Sequence, residues 1–139
     1  MFFGERKHTI DEKNRIRIPK EYRAELGMDI VIGHGVNKCL YVYPLETFVK
    51  LNEDKIQIDE FDYEKQYALS GFISSYSKPE IDSQGRFILP KELKNFANIK
   101  KNIVTRGVRD RIEIWSEEEL GRGVAEAGSK DAEILGKKA

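Results

Sequence analysis

Strict alternation of polar and apolar residues marks two short stretches of the chain. Arg15-Ile16-Arg17-Ile18 places two isoleucines on one face and two arginines on the other, the signature of a half-buried strand. Arg86-Phe87-Ile88-Leu89 follows the same course. Each is preceded by an aspartate four residues before its first arginine, Asp11 and Asp82, and by a step that suits a turn, since Asn14 and Gly85 tolerate positive φ. Each is followed by a proline, Pro19 or Pro90, where a helix of about two turns begins and runs to near Gly27 or Asn98. Further strands are predicted over 30–32 and 39–43, and again over 102–105 and 111–115, with Leu40, Val42, Ile112 and Ile114 facing inward. Helices then follow over about 46–55 and from 117 onward.

These parallels amount to an internal repeat. Residues 10–26, IDEKNRIRIPKEYRAEL, align with 81–97, IDSQGRFILPKELKNFA, at an offset of 71, with identity at Ile10/Ile81, Asp11/Asp82, Arg15/Arg86, Pro19/Pro90, Lys20/Lys91 and Glu21/Glu92. The predicted architecture is therefore α+β and β-rich, a duplicated strand-turn-strand-helix-strand-strand-helix unit. The first repeat occupies 1–56, a connecting helix 57–77, the second repeat 78–122, and a tail over 123–139 is partly helical or frayed. In the connector Ala68, Leu69, Phe72, Ile73 and Tyr76 recur at helical spacing and predict a core-facing stripe, and Gly71 predicts close backbone approach. A unit this small buries only about 60% of its unfolded surface, so the two halves should pack on each other. Strand edges left open would favour self-association.

Composition narrows the class. With 40% hydrophobic and 35% charged residues in 139, a globular domain is expected. No apolar run suits a membrane span and the N-terminus lacks the pattern of a secretory signal, so no membrane association is expected. A single cysteine, Cys39, forbids an internal disulfide and fits a reducing cytoplasm. Net charge is zero, but it is unevenly laid out: residues 1–23 carry seven basic and four acidic side chains and 78–111 carry nine and four, whereas 45–65 carry three and seven. Catalysis finds little support, because His8, His34 and Cys39 lack metal-ligand spacing and Gly33-His34-Gly35 is a turn signal rather than a phosphate loop. No enzyme activity, cofactor, metal or small-molecule substrate is expected.

Asp11 to Pro19 and Asp82 to Pro90, together with the opening Met1-Phe2-Phe3-Gly4 and Leu40 to Pro44, resemble the paired D-x-x-x-R motifs of the MraZ family over nearly the whole chain. The resemblance implies two SpoVT–AbrB-like halves in a pseudo-two-fold, swapped-hairpin arrangement, and assembly into a closed ring. It also implies a bacterial transcriptional regulator of cytoplasm and nucleoid, binding short direct repeats of double-stranded DNA in the promoter of its own division and cell-wall gene cluster. An alternative on the same fold is an antitoxin-like module whose main partner is a protein.

Affinity for DNA needs cations on a rigid scaffold. Arg6, Lys7, Lys13, Arg15 and Arg17 cluster in the first motif's strand-turn-strand unit, and Arg86 is the counterpart of Arg15. Because Gln84 and Ile88 stand where the first copy has Lys13 and Arg17, the first half is expected to make most of the DNA contact. Asp11 and Asp82 are expected to fix their turns by pairing with Arg15 and Arg86, the latter mainly structural. Arg15 fits both roles, since an arginine that pairs locally still has other donors to offer. Lys20 and Glu21, like Lys91 and Glu92, read as a solvated first helical turn.

Overall fold

A computed structural model describes residues 1–127 and 134–135. The chain runs β1 (Glu5–Thr9), β2 (Arg15–Arg17), α1 (Lys20–Leu26), β3 (Ile30–His34), a 3-10 turn over Val36–Lys38, β4 (Leu40–Pro44), α2 (Leu45–Leu51), α3 (Glu53–Ile56), α4 (Tyr63–Ser74), β5 (Arg86–Ile88), α5 (Lys91–Phe96), β6 (Asn102–Val108), β7 (Arg111–Ser116) and α6 (Glu117–Ala127). Five strands form one antiparallel sheet in the order β1-β6-β7-β4-β3, while β2 and β5 pair with each other as a separate two-stranded ribbon. The architecture is mixed α+β around a mainly antiparallel sheet.

The ribbon and the short helices cover one face of the sheet. Ile16, Ile18, Phe87 and Leu89, the inward residues of the two alternating stretches, are buried with Tyr22 and Leu26 of α1 and Leu93 of α5. They meet Ile30, Ile32, Leu40, Val42, Ile103, Ile112 and Ile114 from the sheet in one continuous core. On the opposite face Cys39, Val104 and Trp115 form a smaller cluster against Tyr41 and Leu120 of α6. Glu113 lies in this second layer, where its carboxylate accepts from Trp115 Nε1 at 3.0 Å and from Arg111 Nη2 at 2.8 Å, and the Arg111 guanidinium lies 4.1 Å from the Tyr41 ring centre. Burial and the nearby Glu113 carboxylate push the Cys39 thiol up to about 12, so it is protonated at neutral pH and its role is packing.

Several expectations need correction. The strand-turn-strand reading of the first motif does not form a hairpin: β1 pairs with β6 from the far end of the chain, with Lys7 opposite Val104, and β2 leaves for the ribbon. Pro19 and Pro90 sit one residue ahead of their helices with ψ near 138° and 137°, so they cap rather than begin them, and their carbonyls accept the first turn's N–H bonds from Tyr22 and Lys94. Gly33 and His34 belong to β3, and the turn starts only at Gly35. The helix expected over 46–55 breaks at Asn52, whose side chain donates to the Phe48 carbonyl.

The connector departs furthest. Its helix, α4, has no buried residue, so the predicted core-facing stripe is not one: Ala68 and Ile73 are exposed and Leu69 only half-buried. Its C-terminal end packs through Phe72 and the following Tyr76 on Phe48, while nearer its start Gln66 donates to the Ile58 and Asp59 carbonyls. Among the described residues nothing lies within 4 Å of a Cβ placed on Gly71, whereas one at Gly33 would meet the Tyr76 ring at 2.6 Å. The close approach predicted at Gly71 thus belongs to Gly33, in the strand beneath the helix end. Of the tail assigned to 123–139, residues 123–127 continue α6, and 128–133 and 136–139 lie outside the described residues.

Candidate nucleic-acid interface

Each D-x-x-x-R motif is a self-contained turn. In the first, Asp11 Oδ1 accepts the backbone N–H groups of Lys13 at 2.9 Å and Arg15 at 2.8 Å, and Oδ2 accepts from Arg15 Nε at 2.7 Å. In the second, Asp82 Oδ1 accepts from the N–H of Gln84 at 2.9 Å and of Arg86 at 2.8 Å, and Oδ2 from Arg86 Nε at 2.9 Å. One short carboxylate thus replaces the ladder bonds that a tight turn removes, which explains why the acid is aspartate and why the spacing is four. The fourth residue must turn left-handed, and Asn14 and Gly85 do so at φ 60° and 77°. Hydrogen bonds from the Arg15 and Arg86 backbone N–H, followed by the same arginines' side chains, hold both aspartates below the usual carboxylate range.

The two turns also clasp each other. Ile18 N–H donates to the Gly85 carbonyl and Leu89 N–H to the Asn14 carbonyl, both at 2.8 Å. Arg23 lies over Gly85, where a Cβ would meet its Nε at 2.5 Å, and Lys94 Nζ donates to Asn14 Oδ1 at 2.7 Å.

In the ribbon Arg15 stands opposite Ile88, Ile16 opposite Phe87, and Arg17 opposite Arg86. With Ile16 and Phe87 buried beneath, the outward face consists of Arg15, Arg17, Arg86 and Ile88. Both halves thus supply arginines to a single face, two from the first and one from the second. Arg15 and Arg86 have side-chain exposures of 28% and 23%, so neither is set deeper than the other. In each, Nε is taken by the aspartate, and no hydrogen bond occupies the two terminal nitrogens among the described residues. Like charges directly opposite on a ladder destabilise it. The Arg17–Arg86 repulsion is eased by Asp82 on Arg86 and by Gln84, which accepts from Arg17 Nη2 at 3.2 Å.

The remaining predicted cations scatter. Lys13 is exposed on the turn. Arg6 lines a shallow concavity of about 950 Å³ together with Arg17, Lys20 and Arg23, but its guanidinium is held by Glu21 at 2.8 Å. Lys7 does not join them, because it projects from the other side of β1 toward Glu117, 3.6 Å away. Conversely Lys20, read as simple helix-end solvation, borders the same concavity as Arg17, and Arg23 lies one helical turn beyond it. The i, i+3 spacing of these two after Pro19 was the available signal.

A family-wide profile described as "MraZ protein, putative antitoxin-like" matches residues 1–69 and 72–132. The chain belongs to the MraZ family. Among curated relatives it is similar to the "Transcriptional regulator MraZ" of Clostridium tetani, 42% identical over 118 residues that span 85% of this chain and 83% of the relative. The corresponding protein of Clostridium beijerinckii is 41% identical over 119 residues, covering 85% and 83%, and that of Finegoldia magna 38% over 118 residues, covering 85% and 82%. The MraZ match takes in both D-x-x-x-R turns and both strands of the arginine ribbon. It is interrupted within α4, at residues 70 and 71, and no described helix is long and apolar enough to cross a membrane.

Proposed function

We propose that this protein is a sequence-specific DNA-binding transcriptional regulator that represses the promoter of its own division and cell-wall gene cluster, acting on short direct repeats as a closed ring in the nucleoid. The observation that carries the reading is the outward face of the β2–β5 ribbon, three arginines on a two-stranded scaffold pinned at both ends by aspartate turns. A two-stranded ribbon is narrow enough for the major groove, and an arginine with free terminal nitrogens can take a guanine edge or a phosphate. The relatives' shared name, transcriptional regulator, points the same way. Arg15, Arg17 and Arg86 form the groove-facing set, with Lys13 and Arg6 on the backbone-contacting flanks; Asp11, Asp82, Pro19 and Pro90 shape the scaffold.

Duplication of a swapped-hairpin unit is supported by reciprocal contacts that the 71-residue offset relates to each other: Ile18 and Leu89 donate to Gly85 and Asn14 respectively, and Arg23 and Lys94 clasp the same two turns. Ring closure is supported by the β1 edge of the sheet, which pairs only with β6 among the described residues, and by Phe61, Tyr63 and Tyr67, exposed near and on α4; the other edge, β3, is partly closed by Ser77, which exchanges backbone hydrogen bonds with Ile32. Several modest reading heads on one ring would gain affinity through effective concentration when operator spacing matches theirs.

A mobility shift with DNA from upstream of the gene, repeated at rising salt, tests the reading. Retardation with preference over scrambled DNA and a steep loss with salt is the expected result. No retardation at low salt, with a second protein co-purifying instead, would favour the antitoxin-like alternative.

A further inference from the structure

Ile88 is out of place on the ribbon. It is 64% exposed, although it belongs to the strand whose neighbours Phe87 and Leu89 are 1% and 2% exposed. Single exposed isoleucines are ordinary on protein surfaces. This one, however, is the sole apolar member of a four-residue outward face whose other members are Arg15, Arg17 and Arg86. Its ladder position, directly across from Arg15, places the two Cβ atoms about 5 Å apart. At the aligned position of the other strand the chain carries Arg17.

We infer that Ile88 is a specificity-determining residue that reads the 5-methyl group of thymine in the major groove. The inference rests on the DNA-binding reading above and assigns a base chemistry to it. Guanidinium groups on either side bring this face against a duplex, and a β-branched side chain standing among them at groove depth must meet base edges. Of the groups displayed there, the thymine methyl is the one whose burial against an aliphatic chain is favourable. Against cytosine N4 or adenine N6 the same chain would cover an amino donor without accepting its hydrogen bond. The substitution also gives the ribbon a direction. Arg17 occupies one end of the outward face and Ile88 the other, so a half-turn of the ribbon does not superpose its contacts. A reader of this kind docks in one orientation on each site, which suits repeats running the same way along the DNA rather than an inverted pair.

The test uses the full-length protein and the fragment upstream of its gene, amplified once with thymidine and once with deoxyuridine triphosphate, so that the two DNAs differ only in the 5-methyl groups. Wild type is expected to bind the uracil DNA at least about fourfold more weakly, the effect of one lost methyl contact. Ile88→Ala is expected to bind both DNAs alike, at the weaker affinity, with an unchanged melting temperature. Ile88→Arg, which copies the other strand, should also ignore the methyl groups while steepening the salt dependence. Equal binding of both DNAs by wild type overturns the assignment. So does an Ile88→Ala protein that keeps the wild-type ratio, because the methyl effect then lies in DNA shape or another residue. A change in assembly size for Ile88→Ala, with both DNAs weakened equally, makes Ile88 a contact between copies and overturns it too. Failure to retard either DNA at low salt, with Arg15→Ala behaving as wild type, overturns the DNA reading itself and the assignment with it.

Discussion

At the scale of single residues the D-x-x-x-R motif leaves each arginine able to serve two roles, a local pair and further donors. Arg15 gives its Nε to Asp11 and keeps its terminal nitrogens, and Arg86 does the same with Asp82. Pairing with the aspartate holds the arginine in place for a ligand. Because the two arginines are equivalent in exposure and partners, Arg15→Ala and Arg86→Ala should each weaken operator binding by about 5- to 100-fold, the range of a lost bidentate contact. Titration by fluorescence anisotropy would check this, and loss at Arg15 alone would favour contact made mainly by the first half. The aspartates add a pH dependence of definite sign. Their folded-state pKa values are depressed below the unfolded value of about 3.9, so their stabilisation is present above that value and disappears as pH falls through the folded one. Thermal melts between neutral pH and about pH 3 should show this loss, and the double variant Asp11→Asn with Asp82→Asn should start less stable and lose less on acidification.

At the scale of elements, alternation was the legible part. Ile16, Ile18, Phe87 and Leu89 face the core as their period of two requires, and the turn and cap residues lie within a residue of where local chemistry puts them. Pairing was not legible, because a strand's partner depends on contacts distant in the chain. The partner of β1 lies about a hundred residues away, and the partner of β2 is its own repeat. That exchange turned two separately judged surfaces into one face. For α4 the failure is of another kind: helical spacing of apolar residues shows that a stripe exists but not what covers it, and in this stripe Phe72 and Tyr76 pack on Phe48 while Ala68 and Ile73 stay exposed. The ribbon's inner residues should dominate its stability. Phe87→Ala leaves a cavity in the continuous core and should cost about 3–5 kcal/mol, measured by denaturant unfolding. Gly85→Ala should also destabilise, through its φ of 77° and the overlying Arg23, whereas Asn14→Gly should be tolerated.

At the scale of the whole molecule, a neutral chain presents a basic face because opposite charges are sorted in space. Arginines gather on the ribbon, while the acidic stretch 45–65 lies around α2 and α3 and ahead of α4. The exposed aromatics near α4 and the β1 edge of the sheet are the surfaces proposed to join copies into a ring. Light scattering should therefore report a defined oligomer, and Phe61→Ser with Tyr67→Ser should reduce its size while leaving the melting of each subunit's core largely intact; a monomeric wild type would contradict the ring. The central claim is that the ribbon's outward arginines meet DNA charge. Its most direct test is the slope of log affinity against log salt for the upstream fragment, measured for wild type, Arg15→Ala, Arg17→Ala and Arg86→Ala. Each arginine that neutralises a phosphate should lower the slope by about one, and an arginine on a base edge should instead lower affinity with the slope kept. Variants that match wild type in both slope and affinity would show that DNA is held elsewhere.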